Sequence, residues 1–147
     1  MGMEFIGLGA RDSLRLEMKM ALYGNDIDDT TSPVEAGLSW IINFDKDFIA
    51  KDIILKHKQD KPNKRLICLE LDGKAFPRHG YDIYDGQEKI GQVTSGTFSP
   101  SLQKPIAMAY LTRDKAKTGT TVEVEIRNKR FPATVVKPPF YKEASHK

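Results

Sequence analysis

The residues whose types could do chemistry are few and mostly isolated. His57, His79 and His146 sit in unlike contexts, and none has an acidic or thiol partner at ligand or catalytic spacing, so each reads as a solvated or structural histidine. Cys68, the one cysteine, lies inside the apolar run RLICLEL. Alone it makes neither a disulfide nor a metal site, and it reads as a small buried hydrophobe. Ser95 and Ser99 in SGTFSPS lack the G-x-S-x-G elbow that presents a nucleophile, and read as turn formers. Gly7-Leu8-Gly9 lacks the third glycine, the preceding strand and the lysine of a phosphate cradle. The paired Asp28-Asp29 stand in a loop without a partner. No self-contained catalytic constellation emerges. Two residues remain. Arg11 stands near the start of a predicted helix, where a cation is locally unfavourable and calls for an anion. Trp40, the one tryptophan, offers a ring on which a flat group could stack. Together they point to a planar, carboxylate-bearing ligand. The plainer reading pairs Arg11 with Asp12 and places Trp40 in the core, and on residues alone both stay open.

The elements that must position these residues change character near residue 60. Residues 10–23 are strong helix formers, and Gly24 stands where a left-handed residue would stop the helix. On that helix Arg11, Arg15 and Lys19 fall at i, i+4 and i+8, a repelling positive stripe. Leu14, Met18 and Ala21 share one face while Leu16, Met20 and Tyr23 share another, which predicts a helix sandwiched between neighbours. Ser32-Pro33-Val34-Glu35 suits a short helical turn with serine as cap. Residues 48–58 read as a second amphipathic helix with Ile49, Ile53 and Ile54 on one side, and the charged, proline-bearing 56–65 as a linker.

From Arg65 onward the pattern is β. RLICLEL is apolar on both faces, Asp85-Gly86 marks a hairpin, and KPIAMAYL is another buried strand. VEVEIRN alternates, with Val122, Val124 and Ile126 inward. Asn128-Lys129 is placed at a turn into RFPATVVK, where Pro132 argues for a sheet edge or a strand start. Five or six short strands with frequent turns over ~80 residues suggest a small barrel or sandwich.

Composition is that of a soluble globular chain, with 39% hydrophobic and 29% charged residues among 147. A net charge of +3 is weak for a nucleic-acid binder. The first twenty residues carry Arg11, Asp12, Arg15, Glu17 and Lys19, unlike a signal peptide, and no apolar run reaches the ~20 residues of a membrane span. Neither nucleic acid nor membrane is expected as a partner.

Four blocks in order, GLGARDSLRLEMKMALYGNDI, TSPVEAGLSWII, VTSGTFSPSLQKPIAMAY and VEVEIRNKRFPATVVKPPFY, resemble the glycine cleavage T-protein family, the tetrahydrofolate-dependent aminomethyltransferases. The likeness runs from about residue 7 to 141 and covers only the C-terminal portion of that family. It implies an α+β fold: residues 1–60 as the helical end of a folate-binding core with a linker, and 61–147 as a small antiparallel β-barrel domain. In the family, tetrahydrofolate N5 attacks the methylene carbon of an aminomethyl group on the lipoyl arm of the H protein. Ammonia leaves, and 5,10-methylenetetrahydrofolate and the dihydrolipoyl carrier result. Positioning supplies much of the effect.

By this resemblance Arg11 and Trp40 are folate contacts, tetrahydrofolate is the acceptor substrate, no metal is needed, and the lipoylated H protein is the partner. The family's catalytic aspartate lies in the N-terminal portion, which the likeness does not reach, so this chain is expected to be inactive by itself. A folate-contacting tyrosine near the family's C-terminus has no secure match in PFYKEASHK. Lys74 and Arg78 in DGKAFPRHG could meet an acidic carrier surface, or be solvated charges. The implied compartment is the bacterial cytoplasm, or the mitochondrial matrix in a eukaryote. The folate domains of dimethylglycine and sarcosine dehydrogenases, or a non-enzymatic barrel binding module, are the alternatives.

Overall fold

Residues 2–143 are described by a computed structural model. Two helices precede six strands: α1 (Leu8–Glu17), α2 (Lys51–Asp60), β1 (Lys64–Leu71), β2 (Asp82–Asp85), β3 (Glu88–Ser99), β4 (Lys104–Thr112), β5 (Thr121–Ile126) and β6 (Lys129–Val136). The strands close into one antiparallel barrel, ordered β1-β4-β3-β2-β5-β6. The expected helical segments followed by a small barrel are therefore what the chain forms. His146 lies outside the described residues.

The barrel follows from the apolar pattern. Val122, Val124 and Ile126 of β5 point inward with Ile67, Leu69 and Leu71 of β1 and fill the interior. The other face of β1 carries Leu66 and Cys68, which pack outside the barrel with Ile106, Met108, Leu16 of α1 and Phe140. A strand apolar on both faces is thus explained by a helix lying on the barrel wall. Asp85 pairs with Glu88, so Gly86-Gln87 forms the hairpin loop with Gly86 at φ 60°.

Closure leaves no sheet edge for Pro132, which sits inside β6 opposite Glu123. Its carbonyl accepts from Asp72 N at 3.0 Å, beyond Ala133, the last β6 residue paired with β1. The missing N–H faces that same side, where the ladder has ended, so proline removes no strand bond. The β5–β6 turn is Arg127-Asn128, one residue earlier than expected, with φ of 51° and 61°. Both values belong to the primed turn that matches strand twist.

The first helix ends earlier than 10–23 suggested. Met18 is its C-cap, and Lys19, not Gly24, takes the left-handed position at φ 57°. Met20 N bonds back to Arg15 O at 2.8 Å, the closure of a Schellman motif. Tertiary bonds support the stop: Glu17 O accepts from Tyr141 N at 3.0 Å, and Lys19 Nζ donates to Ala36 O at 3.3 Å. Nor is α1 sandwiched. Leu16 is fully buried, whereas Leu14 is 62% exposed.

Ser32 N donates to Glu35 Oε2 at 3.1 Å and Ser32 Oγ accepts from Val34 N at 3.2 Å, so the predicted serine cap organises one turn. Glu35 O then receives Leu66 N at 2.8 Å and ties that turn to β1. Helix α2 begins at Lys51 and runs through Asp60, so the first half of the expected linker is helix, its last two residues begin β1, and Ile49 precedes the helix. Ile49 and Ile53 are 97% and 71% exposed.

Candidate functional site

The central device is a β-bulge in β3. Val93 opposes Ala109 and Ser95 opposes Met108, so the register shifts at Thr94. Val93 and Ala109 face the interior, whereas Met108 faces outward beneath α1. The extra residue therefore places Thr94 and Ser95, two consecutive hydroxyls, on the same outer face. Ser95 and Ser99 are strand residues with buried hydroxyls; Ser95 forms no turn, whereas Ser99, as expected, organises the β3–β4 turn, its Oγ accepting from Leu102 N at 3.0 Å. Gly96 completes the arrangement, since a Cβ there would lie 2.6 Å from Pro77 O. Only glycine lets the β1–β2 loop lie this close to β3.

Those hydroxyls receive the polar side of α1. Arg15 donates from Nη1 to Asp26 Oδ2 at 2.7 Å, from Nη2 to Asp12 Oδ1 at 2.6 Å and to Ser95 Oγ at 2.9 Å. The Asp26 side chain is wholly buried. It also accepts from Thr94 Oγ1 at 2.5 Å and Leu22 N at 2.9 Å, and its backbone carbonyl accepts from Tyr110 OH at 3.0 Å. One turn on, the buried Glu17 carboxylate accepts from Ser99 Oγ at 2.5 Å, Ser101 Oγ at 2.8 Å and Ser101 N at 3.1 Å. Buried charges are tolerable when their polar atoms are answered, and among the described residues no buried side-chain nitrogen or oxygen lacks a hydrogen-bond partner.

Beneath this lies Cys68, whose thiol burial pushes up to about 12. Burial, with the Arg65 charge adding to it, holds the neighbouring Lys19 ammonium below its ordinary pKa. The positive stripe is therefore dispersed: Arg15 is consumed by carboxylates and Lys19 has left the helix. Arg11 alone stays exposed, with no side-chain hydrogen bond or ion pair among the described residues.

Arg11 lines an open groove of about 440 Å³ between the start of α1, β3 and the β1–β2 loop. Leu8 and Gly9 form one side; Arg78 and His79 form the other, over Ser95 and Gly96. Arg78, expected at a carrier surface, thus shares a groove with Arg11. Trp40 does not line it; the ring is 81% exposed elsewhere and does not fill the core. Lys74 and Arg78 do come together in an adjoining cavity of about 520 Å³, with Arg127, Lys129, Phe76 and Phe131. No carboxylate lines that cavity, so its field is positive.

The blocks building this site, from the α1 segment through the bulged strand, are the ones shared with known proteins. The described barrel family, "Glycine cleavage T-protein C-terminal barrel domain", matches residues 64–142. The chain belongs to the glycine cleavage T-protein family. Its first 46 residues match the "GCVT N-terminal domain" in addition. An aminomethyltransferase from Pseudothermotoga lettingae is 48% identical over 141 residues, covering 96% of this chain and 39% of that protein. One from a Picosynechococcus species is 53% identical over 138 residues, covering 92% and 38%. Among solved structures, the glycine cleavage system aminomethyltransferase T from Bartonella henselae superposes with a TM-score of 0.89 at 36% identity, over 94% of this chain and 40% of that one. This T-protein family chain thus spans about two-fifths of the length of such relatives.

Sequence reasoning missed most of the buried polar site: Asp26, Glu17, Thr94, Ser95 and Ser99. Only the unusual density of hydroxyls in VTSGTFSPS hinted at it. Among the described residues no helix is long and apolar enough to cross a membrane, and no three His, Cys, Asp or Glu residues converge as a metal group.

Proposed function

We propose that the chain is the C-terminal part of a tetrahydrofolate-dependent aminomethyltransferase, in which Arg11 holds a folate carboxylate and Trp40 offers a stacking face. The observation that carries this reading is the state of Arg11: unpaired and exposed, on a groove, while the neighbouring Asp12, Arg15 and Asp26 are paired with one another. A guanidinium left free beside two satisfied carboxylates is available for an anionic ligand. The exposure of Trp40, at 81%, is consistent with a ring kept for a ligand or a further segment rather than for the core.

Residues 1–60 supply the end of the folate-binding core, and 61–147 the barrel that braces it. Phe5, Ile6, Leu8, Leu14 and Met20 are 60% exposed or more, which suits a segment that seats against further polypeptide. Lys74 and Arg78, with Arg127 and Lys129 beside them, form the positive surface that meets the lipoylated H protein. In the reaction the methylene carbon passes from the carrier's sulfur to tetrahydrofolate N5 and then N10. Ammonia leaves, and the sulfur regains its proton. This chain contributes orientation, not a proton-transfer group.

Turnover assays with aminomethyl-lipoyl H protein and tetrahydrofolate test the reading. The chain alone gives no product, whereas the same chain fused behind the upstream part of the Pseudothermotoga lettingae relative gives product. In the fusion, Arg11→Gln raises the KM for tetrahydrofolate about tenfold, the loss of one charged hydrogen-bond pair. An inactive fusion, or an unchanged KM, overturns the proposal.

A further inference from the structure

We propose that Lys19 and Arg65 hold a small oxyanion of the phosphate class in a gap of the outer barrel wall. The site is separate from the Arg11 groove, with which it shares no lining residue, and it does not depend on the folate reading.

The gap follows from the register. β6 pairs with β1 from Leu71 to Cys68, and Val136 is its last partner there. Beyond that point Leu66 N donates to Glu35 O at 2.8 Å instead, so the turn after Ser32 takes the place that a continued β6 would hold. Between the end of β6 and that turn lies a cavity of about 160 Å³, lined also by Ala116 and Thr118 of the β4–β5 loop. Its walls are held in place. Gly119 N donates to Val135 O at 2.8 Å, and Val135 N donates to Thr120 O at 2.9 Å.

Two cations line this cavity and no carboxylate does. Lys19 Nζ donates to a single neutral acceptor, Ala36 O, at 3.3 Å. Arg65 has no side-chain hydrogen bond or ion pair among the described residues. Asp26, whose charge acts on Lys19, is already committed to Arg15, Thr94 and Leu22 N. Gly37, at φ 69°, leaves the ammonium uncovered, since a Cβ there would lie 3.6 Å from Lys19 Nζ.

Burial and the Arg65 charge both work against the Lys19 ammonium. A bound anion reverses both, because it replaces lost water with a charged acceptor and sets a negative charge between two positive ones. The guanidinium adds a fork of donors suited to phosphate oxygens. The cavity lies below the ~300–1,000 Å³ of drug-sized ligands and is several times the ~30 Å³ that a water occupies, so it admits one oxyanion and no nucleotide.

The test is a ¹⁵N NMR titration of the 147-residue chain with inorganic phosphate at pH 7. Millimolar phosphate shifts the amides of Lys19, Gly37 and Arg65 saturably, and chloride at equal ionic strength does not. Lys19→Gly suits the left-handed φ of 57° and so keeps the fold while removing the ammonium. It weakens phosphate binding about tenfold, as does Arg65→Gln, each through the loss of a charged donor. Lys74→Gln and Arg11→Gln leave the affinity unchanged. The Lys19 ε-carbon signal titrates at higher pH with phosphate present, which a purely structural lysine would not show. Adenosine 5′-monophosphate separates the free ion from the phosphate group of a larger ligand, and it binds no tighter than phosphate. Tighter binding of the nucleotide at the same amides overturns the free-ion assignment. Equal losses from Lys19→Gly and Lys74→Gln, shifts confined to the Arg11 groove, or no saturable shift overturn the site.

Discussion

Thr94 donates a 2.5 Å hydrogen bond to the buried carboxylate of Asp26, which lies in the loop after α1 and also receives Arg15. The bond exists because a bulge turns Thr94 outward, and it fastens the segment carrying Arg11 to the barrel. Asp26→Asn should therefore cost about 3 kcal/mol, since it leaves the Arg15 guanidinium without its buried counter-charge. Thr94→Val should cost about 1–2 kcal/mol, with Asp26 still answered by Arg15 and Leu22 N. Urea unfolding of the two variants measures both; equal effects would show that the hydroxyl, not the charge pair, fastens the segment.

Glu17→Gln is expected to destabilise by about 1–3 kcal/mol, because the amide cannot accept at both ends from Ser99 and Ser101. Ser99→Ala should give part of that loss, and the double variant less than the sum. Thermal unfolding of the three proteins checks it.

Gly96→Ala places a methyl against the Pro77 carbonyl, and the loop must move. A cost of about 1–3 kcal/mol is expected, together with amide shifts at Arg78 and His79 larger than those across β5. Calorimetry and ¹⁵N spectra read the two parts separately.

Cys68 predicts an alkaline limit. Burial raises its pKa in the fold from 9.0 to about 12, so the folded state keeps the proton that the unfolded state releases. The stability this represents is complete below pH 9 and declines between about 9 and 12, at up to about 1.4 kcal/mol per pH unit. Tyr110, also pushed up to about 12, mainly by burial, adds to the decline above pH 10. Unfolding by urea across that range should show a shallower fall for Cys68→Ala than for the parent chain. The native thiol should also resist alkylation at pH 8.

The barrel was legible because its signals are local. Alternation in VEVEIRN, the Asp85-Gly86 turn and the two-faced RLICLEL each depend on neighbours within a few positions. The helix end was not legible, because Lys19 bears a left-handed conformation unusual for lysine, and the distant contacts of Tyr141 and Ala36 support it. Propensity favoured continuation to Gly24, and tertiary bonds outweighed it.

The candidate site divides in the same way. Residue types alone left Arg11 either calling for an anion or paired with Asp12 and singled out one tryptophan, and the family blocks were readable in order. Whether Arg11, Arg15 and Lys19 would share one fate depended on which of them met a carboxylate across the fold. Tertiary structure decided that, by placing Asp26 against the bulged strand and leaving Arg11 opposite Arg78. Local order in a chain sets strands and turns over a few residues. The pairing of charges far apart in sequence is set only when the barrel closes and chooses which groups lose water together.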